Sequence, residues 1–145
     1  MSGNSLRVKL DWLGGRRVEA TARGNRVVVD QIQDGGGEGK GFRPTELLLS
    51  ALGSCMMGNI IGFCENMEIP IERFSISVEG VRVESPMRVS EIRVEIDLVG
   101  DVPPERVETL KRVAKGCRIH NTLSNPPAID LDLRVSEGAA RAEKA

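Results

Sequence analysis

Three cysteines, a single histidine and a few arginines are the residues of this 145-residue chain whose chemistry extends beyond packing. Cys55 lies in Leu52-Gly53-Ser54-Cys55-Met56-Met57, with no charged neighbour. It reads either as a small buried hydrophobe or as a nucleophile. The second role requires a cation or a helix N-terminus from elsewhere in the fold, because the thiolate is the reactive form. Cys117 follows Gly116 and precedes a short helix expected over Arg118–Leu123. As the cap of that helix its thiolate gains from the dipole; otherwise it is a buried turn residue. Cys64 lies nine residues after Cys55. On a helix this turns it to the opposite side and about 13.5 Å along the axis, outside disulfide geometry. Cys64 reads as packing.

His120 forms a Cys-x-x-His with Cys117, but two ligands do not make a zinc site, and no other Cys or His lies near in sequence. It reads as a structural histidine bonded to backbone, and no metal is expected. The serines show no nucleophile elbow. Asp34 to Gly41 holds five glycines and ends in Gly39-Lys40-Gly41. A phosphate loop requires Gly where Asp34 stands and Ser or Thr where Gly41 stands, so the motif fails twice. Arg16 and Arg17 are expected in the second strand and Arg43 just before a long helix. An arginine beside a thiol lowers its pKa and binds an oxyanion or a peroxide oxygen. Glu46 is the only carboxylate near the start of that helix, about half a rotation off the face of Cys55.

The elements that must position these groups follow from periodicity. Leu6, Val8, Leu10 and Trp12 alternate with polar residues, as do Val18, Ala20 and Ala22, and Val27 to Val29 is β-branched. Gly14-Gly15 and Gly24-Asn25 mark the turns of an antiparallel meander. The run from Asp34 to Gly41 is expected to be a flexible surface loop. Pro44 and Glu46 suit the start of a helix predicted over Pro44 to Asn66, roughly 35 Å long. Phe74 to Val78 and Ile92 to Leu98 alternate, with a loop near Glu84 to Arg88 between them. Pro103-Pro104 opens a second helix that Gly116 ends. Ile129, Leu131, Leu133 and Val135 predict a last strand. The order implies an α+β fold with mainly antiparallel pairing, two open sheets covered by one long apolar helix. It forms one domain over residues 1–145, with a core of about 6–135 and a tail at 136–145.

Composition narrows the function. Hydrophobic residues make up 40% and charged residues 28%, the balance of a globular domain. With 20 Lys and Arg against 21 Asp and Glu, no basic surface for nucleic acid is expected, and 3% aromatics offer few stacking platforms. Leu47 to Cys64 carries no charge over 18 residues, the length of a membrane span. Its three glycines, two serines and Asn59 favour a buried helix instead. A helix apolar on most sides must be covered on most sides, which in a domain this small points to a C2 dimer through the helix and not to a membrane. Met1 to Leu10 carries Arg7 and Lys9 without a continuous apolar run, so no export signal is expected. The thiols are expected reduced, in the cytoplasm.

The run Pro44-Thr45-Glu46-Leu47-Leu48-Leu49-Ser50-Ala51-Leu52-Gly53-Ser54-Cys55, followed about sixty residues later by Cys117 and Arg118-Ile119-His120-Asn121-Thr122-Leu123-Ser124, resembles the family of osmotically inducible protein C (OsmC) and organic hydroperoxide resistance protein (Ohr). The element order is similar as well, so the resemblance covers the chain from about Leu6 to Val135. It implies an OsmC-like fold, an intertwined homodimer with the long helices at its centre, and a thiol peroxidase that needs no metal, flavin or other cofactor. Carried over, Cys55 is the peroxidatic residue and Cys117 the resolving one. The substrate is an organic hydroperoxide, a dithiol reopens the disulfide, and the biological setting is a stress response. The well-understood members place a Glu directly after the motif's Pro and pair it with an Arg from the N-terminal strands. Here Thr45 holds that position and Glu46 comes one step, about 100°, later. Arg16, Arg17, Arg43 and Glu46 are therefore the candidate activators. The alternative to catalysis is a small-ligand-binding or redox-sensing dimer of the same fold.

Overall fold

The structure is a computed structural model that describes residues 4–139. Its first third is an antiparallel meander of β1 (Lys9–Gly14), β2 (Arg17–Ala22) and β3 (Asn25–Val29), paired in that order. β1 begins at Lys9 and not at Leu6. Arg17 opens β2 as expected, whereas Arg16 falls in the preceding turn. The second turn places Arg23 and Gly24 at φ 51° and 84°, the pair of positive dihedrals that lets a two-residue hairpin follow the strand twist.

The glycine-rich segment is tied down, contrary to the flexible loop that its composition predicts. Asp30 is only 1% exposed. Its carboxylate accepts the N–H groups of Gln31 at 2.8 Å, Glu38 at 3.1 Å and Lys40 at 3.0 Å. The Lys40 N–H acts most strongly on the carboxyl. Burial opposes it, the Gln31 and Glu38 N–H groups and the Arg17 charge reinforce it, and the pKa lies below the ordinary carboxylate value. The Asp30 N–H also donates to the Phe42 carbonyl at 3.1 Å, and Val29 bridges Phe42 in parallel. A Cβ at Gly37 would strike the Gln31 carbonyl and the Asp30 carboxylate, so only glycine fits beneath this clamp.

From that junction runs α1 (Pro44–Asn66), with the predicted boundaries. Pro44 suits the first position, where no N–H is needed, and the Glu46 carboxylate accepts the Arg43 N–H at 2.7 Å. By length and composition α1 could cross a membrane. Here Leu52, Gly53, Met56, Ile60 and Cys64, spaced by one to four residues, form its buried stripe. Gly53 brings it down onto the next strand: a Cβ there would lie 3.0 Å from Val78 Cγ2.

β4 (Ile71–Val83) and β5 (Arg88–Gly100) form a two-stranded antiparallel ribbon, longer than the alternating cores Phe74–Val78 and Ile92–Leu98 because the ladder continues past the apolar positions. A 3-10 turn at Pro104–Arg106 delays α2 (Val107–Lys115) beyond the proline pair. α3 (Arg118–Ser124) follows at once. Leu52, Met56, Ile60, Cys64, Ala114 and Cys117 form the buried core, with Phe74, Ile76, Val78 and Val94 against it. The α+β architecture of two antiparallel sheets and one long apolar helix is the one predicted.

The last expected strand is absent. Ile129, Leu131, Leu133 and Val135 belong to no ladder and are 88%, 82%, 77% and 85% exposed. Alternation supplies a strand's faces but not its hydrogen-bonding neighbour, and this segment pairs with no strand among the described residues. Residues 140–145 of the expected tail lie outside the described residues.

Candidate active site

α1 and α3 carry the two cysteines that the structure brings together. Cys55 lies on α1, half-buried, and Cys117 is fully buried at the N-cap of α3. The Cys117 sulfur accepts the His120 N–H at 3.2 Å, which fixes the first turn of α3. That turn in turn aims its backbone at α1. The sulfur of Cys55 faces the N–H groups of Ile119 and Arg118 and the thiol of Cys117.

The two thiols are pushed apart in acidity. Burial raises Cys55, but the Ile119 N–H, the Cys117 thiol, the Arg118 N–H and the Arg118 charge together overcome it, and its pKa falls below the ordinary thiol value. Cys117 moves the other way. Burial is the main cause and its contact with Cys55 adds to it, against the His120 and Ile119 N–H groups. Deprotonation therefore falls on Cys55, with Cys117 as the protonated partner that donates to it. Cys64 is buried and raised by burial alone, as a packing thiol should be.

The expected activators lie elsewhere in the protomer. Arg17 pairs with Glu38 at 3.8 Å in the clamped segment. Arg16 borders the same segment, with its Nε 3.5 Å from where a Cβ on Gly36 would stand. Arg43 pairs with Glu46 at 3.8 Å, nine residues up α1 from Cys55, and its buried Nε has no hydrogen-bond partner. The His120 backbone N–H donates to the capping sulfur, and among the described residues its buried Nδ1 finds no hydrogen-bond partner, backbone included, beside a cleft of about 570 Å³ lined by Leu52, Met56 and Leu123. Among the described residues no group of three His, Cys, Asp or Glu is placed to hold a metal ion. Periodicity did not single out Arg118 and Ile119. The one available signal was Cys117 as a helix cap, whose N–H groups serve the other cysteine.

A family model described as OsmC-like protein matches residues 37–132, about two thirds of the chain, including both cysteines. The chain belongs to the OsmC-like family. Its fold is similar to a crystal structure from Psychrobacter arcticus described as an osmotic stress induced and detoxification response protein, at 27% identity and TM-score 0.76 over 82% of this chain and 88% of that one. It is similar in fold to an organic hydroperoxide resistance protein from Legionella pneumophila, at 21% identity and TM-score 0.57 over 82% and 88% of the two chains. The organic hydroperoxide resistance protein OhrB of Bacillus subtilis shares the fold at 18% identity and TM-score 0.52, over 84% and 92%. No curated protein matches this OsmC-like chain in sequence.

Proposed function

We propose that the protein is a cysteine-based peroxidase that reduces organic hydroperoxides, with Cys55 peroxidatic and Cys117 resolving. The observation that supports this most is the contact between two thiols of opposite acidity, one set to lose its proton and the other to keep it. The Cys55 thiolate attacks the terminal peroxide oxygen. The S–O bond forms, the O–O bond breaks, and the alkoxide leaves with the electron pair and takes a proton from solvent. The resulting sulfenic acid condenses with the Cys117 thiol to a disulfide and water. An external dithiol reopens it by two exchange steps. The apolar residues beside the pair, among them Met56 and Ile119, favour an organic hydroperoxide over hydrogen peroxide.

The working form in this reading is an intertwined homodimer in the reducing cytoplasm, active in stress. Two features favour the dimer. Leu10 and Trp12 of the meander are 58% and 76% exposed, and the alternating segment from Ile129 to Val135 pairs with no strand among the described residues. A second copy supplies the cover and the strand edge that one chain lacks. The test is turnover of cumene hydroperoxide with a dithiol, with intact mass after one equivalent of oxidant. Cys55→Ser abolishes turnover and Cys64→Ser preserves it. A two-dalton loss maps to Cys55–Cys117. Absence of both turnover and disulfide transfers the protein to the ligand-binding or redox-sensing reading.

A further inference from the structure

We propose that Arg118 is the catalytic cation of Cys55, in place of the N-terminal arginine and paired glutamate that its relatives' motif would supply. Arg118 is the first residue of α3, immediately after Cys117, and its backbone N–H already faces the Cys55 sulfur. Its side chain therefore starts within a few ångströms of the reacting atom. It is exposed, and among the described residues it forms no ion pair and no side-chain hydrogen bond. Within the protomer the competing arginines lie away from Cys55. Arg17 is held by Glu38 and Arg43 by Glu46, and the latter pair sits about 13.5 Å along α1 from Cys55. Arg16 rests against the clamped segment at Gly36. Thr45 carries no charge to orient any of them.

A guanidinium on the residue whose N–H meets a half-buried thiol has two uses. It holds the sulfur as thiolate in the resting enzyme. When sulfur takes the terminal oxygen and the O–O bond breaks, the same planar set of N–H donors faces the departing alkoxide until solvent protonates it. No new reactant enters. The assignment rests on Cys55 as the reacting thiol, so it is tested separately from peroxide turnover.

The experiment is the rate of iodoacetamide alkylation of Cys55 in the reduced full-length protein between pH 5 and 10, mapped by peptide mass, for wild type, Arg118→Gln, Arg118→Lys and Arg112→Gln. Arg118→Gln raises the midpoint by about one pH unit, so alkylation below the midpoint slows about tenfold. Arg118→Lys restores the charge and most of the rate. Arg112→Gln removes a cation from α2 and leaves the midpoint in place. An unmoved midpoint in Arg118→Gln overturns the proposal, as does a shift that Lys fails to restore, since that marks a structural effect. If Arg118→Gln moves the midpoint and Lys restores it in a protein that turns over no peroxide, Arg118 keeps its role as the cation that holds the Cys55 thiolate, and the peroxidase reading, with the alkoxide role that depends on it, is the one that falls.

Discussion

Gly53 joins the fold to the site, and replacing it by alanine sets two opposing effects against each other. Inside a helix, Gly→Ala favours the folded state by about 1 kcal/mol. At Gly53 the new methyl would lie 3.0 Å from Val78 Cγ2 and 3.6 Å from Ile76 Cγ2, inside normal contact with the first. Overpacking of this kind costs roughly 1–3 kcal/mol. The balance is a loss of about 1 kcal/mol, or about 2–4 °C in Tm for a chain of this length. Gly58 and Gly62 provide the comparison, because a Cβ at either meets nothing within 4 Å in this chain. For a protomer, Gly58→Ala is worth the full gain. Thermal unfolding of the two variants at low and high protein concentration gives the answer. Gly53→Ala is expected below wild type at every concentration. Gly58→Ala is expected above it when dilute, and the gain shrinks where a second helix packs over it. Gly53→Ala also lifts α1 off β4 and draws Cys55 back from the N–H groups of α3, so its alkylation slows. If Gly53→Ala is as stable as Gly58→Ala and labels as fast as wild type, the close approach of α1 to β4 does not position the site.

Three further outcomes follow from the same geometry. In native protein near pH 7, a thiol reagent should modify Cys55 first, because its pKa is lowered while those of Cys64 and Cys117 are raised; peptide mapping that finds Cys64 leading would refute this order. Cys117→Ser keeps a side-chain acceptor at the cap of α3 and so should fold, yet after one equivalent of peroxide it should halt at a dimedone-trappable sulfenic acid at Cys55. For Asp30 the folded pKa is depressed, so its contribution to stability is present above the unfolded value near 3.8 and is lost as pH falls through the folded one. Asp30→Ala should therefore lower Tm at pH 7 by more than it does in strong acid, and equal losses at both would show that the carboxylate is not the clamp.

Most of the fold was legible because local rules and tertiary packing agree over α1, the meander and the β4–β5 ribbon. Pro44 and an uncharged run fixed α1 to its terminal residues. The glycine-rich run misled because composition reports what a segment is free to do. What holds it is one aspartate whose three N–H partners reach ten residues ahead. Ile129 to Val135 misled for the converse reason, since a period-two pattern has no information about the neighbouring strand. In the site, both cysteines were legible from their motif. The groups that face Cys55 were not, because N–H donors and charge reach a thiol through space. Arg118 sits 63 positions from Cys55 in sequence and becomes its neighbour only when α3 folds against α1.

The clamp at Asp30 divides the protomer into two kinds of sequence. Val29 and Asp30 meet Phe42, and at that junction the first forty residues are fastened to the start of α1. Within the protomer, the groups that lower the pKa of Cys55 against its burial all come from the segment that begins at Cys117, after the junction. Substitutions in the meander thus leave these donors in place. Substitutions after Phe42 do not all do so. The donors that lower the thiol's pKa and the apolar residues beside it are inherited together on one stretch of the chain, and the meander can drift while that stretch is held.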